Sequence, residues 1–156
     1  MAGASLAEIE AVYRASVHRY RGVAAAIVRD REAASDLVQD AFASAVRRRS
    51  RFRGDGPLEA WLWRTVVNAA LSHSRRRHPA AATRRDETVA VPGTGQEIRD
   101  AVAALPERQR VAVFLRYYAD LEYREIGEIL GITDGTARAS VHAAQATLRR
   151  TLEVVA

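Results

Sequence analysis

Apolar residues recur at helical spacing at both ends of this chain and lapse in the middle, and that interrupted periodicity limits its possible folds more than any other feature. Upstream, Leu6, Ile9, Tyr13 and Val17 lead toward Ala24, Ile27 and Val28. A second stripe joins Leu37, Val38, Ala41, Phe42, Ala45 and Val46, and a third joins Leu58, Trp61, Leu62, Thr65, Val66 and Leu71. Asp55-Gly56-Pro57 marks the break before the third stripe with a cap candidate and a first-turn proline. Downstream, Ile98, Val102 and Leu105 predict a short helix, and Pro106 opens another that carries Val111, Phe114, Leu115 and Tyr118. Tyr123, Ile126, Ile129 and Leu130 mark a third, and Ala137, Val141, Ala144, Leu148 and Leu152 the last. No stretch alternates apolar and polar residues persuasively, so the expected fold class is all-α without a sheet.

Between Arg77 and Gln96 lie two prolines, two glycines and no apolar periodicity. Residues 79–96 therefore read as a flexible linker between two small helical domains, 1–78 and 97–156, the first a three- or four-helix bundle. An apolar share of 48% suits a packed globule, and the absence of cysteine excludes a disulfide framework or a thiolate metal site. No apolar run is long enough to span a membrane, and Met1–Leu6 lacks a basic n-region ahead of an apolar core, so the expected location is the cytoplasm.

All 24 basic residues are arginine, against 19 acidic residues. Codon bias alone can produce an all-arginine set, so the distribution of the charge says more. Residues 1–78 hold 14 arginines against 8 acids, whereas residues 97–156 hold 8 against 9. Arg47, Arg48, Arg49, Arg51 and Arg53, with Arg75, Arg76 and Arg77, exceed what favourable placement at helix C-termini requires and predict a phosphate-attracting surface. Phe52, Trp61 and Trp63 could stack on unpaired bases. Asp36, Gln39 and Asp40 stand at i, i+3 and i+4 and share one polar helical face. Gly131-Ile132-Thr133 supplies a left-handed stop, a corner plug and a cap, the pattern of a helix-turn-helix. Such corners are also purely structural, so this pattern alone leaves both readings open. Asp120, Glu122, Glu125 and Glu128 suit a helix N-terminal turn better than a metal site, and no nucleophile elbow, glycine-rich phosphate loop or HExxH motif occurs. No catalytic residue, metal or cofactor is expected.

Ala104 to Leu152, with LPERQR, LEYREI and GITDGTARASVHAAQATLR, resembles region 4 of extracytoplasmic-function (ECF) sigma factors, the promoter-recognising subunits of bacterial RNA polymerase. DLVQDAF at Asp36–Phe42 and GPLEAWLWRTVVNAALSHSRRR at Gly56–Arg77 resemble region 2 of the same family. The resemblance implies a two-domain sigma factor, not an enzyme, whose partners are core RNA polymerase, promoter DNA and an anti-sigma factor. It implies polymerase contacts at Asp36, Gln39 and Asp40, with Trp61 as the buried tryptophan. It assigns the −10 element to Phe52, Arg53, Arg64, Asn68, Arg75, Arg76 and Arg77, and the −35 element to the exposed face of the last helix, Thr136, Arg138, Ala139, Ser140 and His142.

The last helix departs from the family pattern, carrying Ser140, Ala143 and Gln145 where further basic residues are usual. Each missing phosphate contact flattens the salt slope by about 0.9, so weak duplex binding by this half is expected. A dimeric regulator and a sigma-like interaction module remain the rival readings; the first needs an apolar seam that the sequence does not display. The chain stops soon after region 4 and has no cysteine, so neither a C-terminal regulatory extension nor a thiol switch is expected.

Overall fold

The structure, a computed structural model, describes residues 3–77 and 95–155. Among them every regular element is helical, as the periodicity predicts: α1 Leu6–Val28, α2 Arg31–Arg47, α3 Leu58–Arg77, α4 Gln96–Ala103, α5 Glu107–Val113, α6 Tyr123–Leu130 and α7 Asp134–Val155. A 3-10 turn, Arg49–Arg51, follows α2, and α5 runs on into a wide π turn over Phe114–Tyr118. The expected linker lies almost wholly outside the described residues; Gly95 and Gln96 already begin α4.

Local chemistry sets the helix ends. Ser5 and Glu8 close a capping box on α1: Glu8 N–H donates to Ser5 Oγ at 3.2 Å and Ser5 N–H to Glu8 Oε2 at 2.7 Å. Hydrogen bonding from Ser5, its backbone N–H first, holds the Glu8 carboxyl below its ordinary pKa. Asp30 caps α2 by accepting from Ala33 N–H at 3.1 Å. The Pro57 carbonyl opens α3, accepting from Ala60 N–H at 3.1 Å.

Helices α1, α2 and α3 bury Tyr20, Val23, Ile27, Val38, Leu62, Trp63, Val66 and Val67. Tyr20 stacks on Trp63 at 3.9 Å between ring centroids and meets Phe42 edge-on at 5.0 Å. Trp63, at 2% exposure, is thus the buried tryptophan, and Trp61 lies half-buried against Phe52 at 5.7 Å. This reverses the expected pair. Trp63 falls on the stripe with Leu62, Val66 and Val67 that faces α1, where Tyr20 receives it. Leu6 and Ile98, expected on buried stripes, are more than half exposed, whereas Ile9 and Leu105 of the same stripes are buried as expected, and Ala101 joins them.

One apolar core runs through both halves, joining Val23 and Ile27 to Val111, Leu115, Leu121 and Ile126. Polar bonds tie the same boundary. Arg110 of α5, 6% exposed, donates Nε to Ala26 O of α1 at 3.0 Å and Nη1 to Leu105 O at 3.0 Å. Arg29, just past α1, donates Nη2 to Ala103 O at 2.6 Å. The two halves are therefore packed together rather than strung apart.

Candidate nucleic-acid interface

Three surfaces carry the predicted site residues. Asp36, Gln39 and Asp40 are all exposed on α2, as one helical face requires. Gln39 also borders a shallow apolar groove between α1 and α2 whose walls include Leu6, Ile9, Tyr13, Phe42 and Val46. The expectation that Phe42 belongs to the core holds, since it is 6% exposed.

The second surface combines the turn after α2 with α3. Arg47, Arg48, Arg49, Arg51 and Arg53 are exposed, and Arg49 Nη1 donates to Val46 O at 2.8 Å, satisfying a carbonyl at the C-terminus of α2. Ala4 N–H donates to Arg49 O at 3.0 Å, so the segment before α1 steadies this turn. Phe52 is half-buried against Trp61. Arg64, Asn68 and Arg75 follow one another on an exposed stripe of α3, and Arg76 and Arg77 end it in the open. Burial of Trp63 removes it from the candidate base-stacking rings and leaves Phe52 and Trp61 beside the stripe.

The third surface is the α6–α7 corner, a helix-turn-helix built as predicted. Gly131 adopts φ 69 and ψ 34, Ile132 N–H returns to Gly127 O at 2.9 Å, and Thr133 Oγ1 accepts from Thr136 N–H at 3.1 Å. Gly127 is fixed by space: a Cβ there would lie 2.7 Å from Ile132 O. Arg138, Ala139 and His142 are exposed on α7. Ser140 is not, at 9% exposure, and Thr136 is half-buried with its hydroxyl bonded to Thr133 Oγ1 at 2.9 Å. Ser140 turns toward α5, where it lines a groove with Arg108, Gln109 and Thr136. The exposed reading face is therefore narrower than the five residues expected.

The corner also holds two residues, Tyr123 and Arg116, that the sequence did not single out as site residues. The Tyr123 ring has the Arg138 guanidinium at 5.1 Å and the Arg116 guanidinium at 5.3 Å from its centroid, with His142 edge-on at 6.5 Å. These contacts cross between α6, α7 and the π turn, so no local spacing announces them. The acidic residues act as helix chemistry predicts: Glu122 N–H donates to Glu125 Oε2 at 2.9 Å in a capping box. Glu128 approaches Arg124 at 3.7 Å and Arg64 at 3.9 Å. Among the described residues no three His, Cys, Asp or Glu side chains gather closely enough to hold a metal ion, and no helix is long and apolar enough to cross a membrane.

Comparison with known proteins agrees with the all-helical fold. Residues 12–79 match the Sigma-70 region 2 family and residues 95–148 the Sigma-70, region 4 family. The RNA polymerase sigma factor CarQ of Myxococcus xanthus is 31% identical over 86% of this chain and 83% of its own length. The ECF RNA polymerase sigma factor SigM of Mycobacterium tuberculosis is 35% identical over 80% of this chain and 66% of its own. In fold, the chain resembles the sigma factor RpoE solved with the anti-sigma factor NepR from Bartonella quintana. That match has a TM-score of 0.80 at 23% identity, covering 94% of this chain and 98% of the other. With two sigma-70 regions in order and relatives of this kind along most of its length, the chain belongs to the ECF family of RNA polymerase sigma factors and is a transcription initiation factor.

Proposed function

We propose that this sigma factor holds core RNA polymerase through Asp36, Gln39 and Asp40 on α2 and reads the −10 element with the exposed α3 stripe. Arg138, Ala139 and His142 on α7 then make a small −35 contribution. The observation that carries this reading is the stripe itself. Arg64, Asn68 and Arg75 share one open face, flanked by the turn arginines and the Phe52–Trp61 pair. Arginine supplies sequence-independent phosphate attraction, an amide reads a base edge, and half-exposed rings suit bases drawn out of the stack. Unstacking a base costs a few kcal/mol, so strand capture needs such pockets. The chemistry of RNA synthesis belongs to polymerase, and the factor acts with it in the cytoplasm. An anti-sigma partner is supported by the complex in which the RpoE neighbour was solved.

The test is in-vitro transcription with sigma-free bacterial core polymerase on a genomic fragment library, mapping transcript starts. Discrete starts with shared upstream elements are expected. Asn68→Ala should reduce their use about ten- to a hundredfold, the equivalent of a lost base contact of about 1–3 kcal/mol. Gln39→Ala should weaken capture of core enzyme. Binding to core enzyme without discrete starts would sink the promoter reading.

A further inference from the structure

The reading end of α7 is short of cations. Arg138 is its one arginine, since Arg149 and Arg150 belong to the far end of the helix. An α-helix nearly fills the DNA major groove, about 12 Å wide, so both of its flanks run beside phosphates. A helix with one arginine leaves those phosphates to a neighbouring element.

That neighbour is α5. Between it and α7 runs the groove lined by Arg108, Gln109, Thr136, Ala139, Ser140 and Ala143, with no acidic side chain among its lining residues. Arg108 is exposed and has no ion-pair or hydrogen-bond partner among the described residues. Arg110, two residues on, is by contrast buried and committed to carbonyls. The Ser140 hydroxyl likewise makes no hydrogen bond among the described residues, although only 9% of the residue is exposed. The Gln109 amide is unbonded too, and its Oε1 is buried without a partner. Polar groups withdrawn from solvent are ordinarily bonded; two that are not, beside a free arginine, mark the seat of an anion. Ala139 and Ala143, both exposed, carry nothing beyond Cβ to block the approach.

We propose that this groove seats a phosphate of the −35 duplex, held by the Arg108 guanidinium and the Ser140 hydroxyl, with the Gln109 amide as a further donor. All three groups donate to phosphate oxygens. Ala139 belongs both to this groove and to the exposed face with Arg138 and His142, so a strand read by α7 passes Arg108. Resting on the α7 reading proposed above, the arrangement divides the work: α7 inspects bases and α5 supplies the anchor. Phosphate contacts fix register without carrying sequence, so Arg108 strengthens the hold on every duplex alike.

The test is nuclear magnetic resonance of the isotope-labelled full chain, titrated with a mixed-sequence DNA duplex of about 20 base pairs that carries no promoter. The amides of Arg108, Ser140 and Ala143 should shift with the duplex and should shift far less in Arg108→Ala. Those of Asn68 and Arg75 should respond alike in both proteins. Arg108 has no partner to lose, so the variant keeps its fold. In fluorescence anisotropy with the same duplex, Arg108→Ala should flatten the dependence of log affinity on log salt by about 0.9, the value of one phosphate contact, and Arg108→Lys should keep the parent slope. Groove amides that stay still while those of Asn68 and Arg75 move, or an unchanged slope in Arg108→Ala, overturn the proposal. Inorganic phosphate is the second probe: if it moves the groove amides as far as the duplex does, the groove is a free-anion site and the DNA assignment falls. A failed promoter reading produces none of these results, because the duplex contains no promoter and polymerase is absent.

Discussion

The two halves of the molecule reach stability by different routes. Helices α1, α2 and α3 have 23, 17 and 20 residues and enclose an aromatic centre of their own. Helices α4, α5 and α6 have only 8, 7 and 8 residues, below the length at which an isolated helix holds in water, and they lean on α7 and on the first half. Charge divides the same way, with the arginine surplus in the half built from the longer helices. The exposed arginines of the first half leave its surface open to nucleic acid, whereas the second half commits one of its eight arginines, Arg110, to the boundary.

The strongest way to break this comparison is to remove the aromatic centre. Trp63→Ala should cost about 3–5 kcal/mol, the range for a buried large aromatic residue. Trp61→Ala should cost less, because that side chain is only partly buried, beside Phe52. Denaturant unfolding of the two variants measures the difference, and equal losses would return Trp61 to the core.

That pair also marks how far the sequence could be read. Helical spacing located the seven α-helices of the described residues, and Gly131 with Thr133 placed the corner before α7 with its caps. The stripe read from spacing ran through Trp61 and Thr65, but residues two apart point to nearly opposite sides of a helix, and the side of α3 that turns inward is set by Tyr20 of α1, which receives Trp63. Ser140 was misjudged for the same reason: α5 covers it, and α5 is distant in sequence. The boundary left no pattern at all, since an arginine bonded to a carbonyl 84 residues away reads as an ordinary surface arginine.

A smaller effect of opposite sign is expected at Tyr20. Its ring fills the centre of the first half, yet its hydroxyl is buried without a partner, a cost of about 1–3 kcal/mol for such a group. Tyr20→Phe should therefore raise stability by about 1 kcal/mol with the packing kept. Burial, with Glu59 adding repulsion, pushes the phenol pKa above its ordinary value. The folded state thus disfavours the phenolate, and the parent loses stability as pH climbs above about 10, the ordinary tyrosine pKa. The variant should lose less over that interval, and thermal unfolding between pH 9 and 11 would expose the difference. Matching pH slopes would mean that the hydroxyl finds a partner in solution.

The smallest predicted effect lies in the second half and sharpens the contrast in charge. With few cations available to α7, a free Arg138 would spend much of its time away from a base edge, and ordering its long side chain costs up to about 2 kcal/mol of rotamer entropy. The Tyr123 ring, between Arg138 and Arg116, prepays part of that cost. Tyr123→Leu should weaken −35 discrimination by about 0.5–1 kcal/mol, the value of an exposed cation–π contact, and Tyr123→Phe should restore it because the ring face remains. The readout is the profile of transcription across single-base −35 substitutions, which flattens if Arg138 loses its orientation. If Tyr123→Leu lowers all promoters equally, the ring serves only the packing of α6. The second half would then hold its place on DNA through phosphate contacts alone.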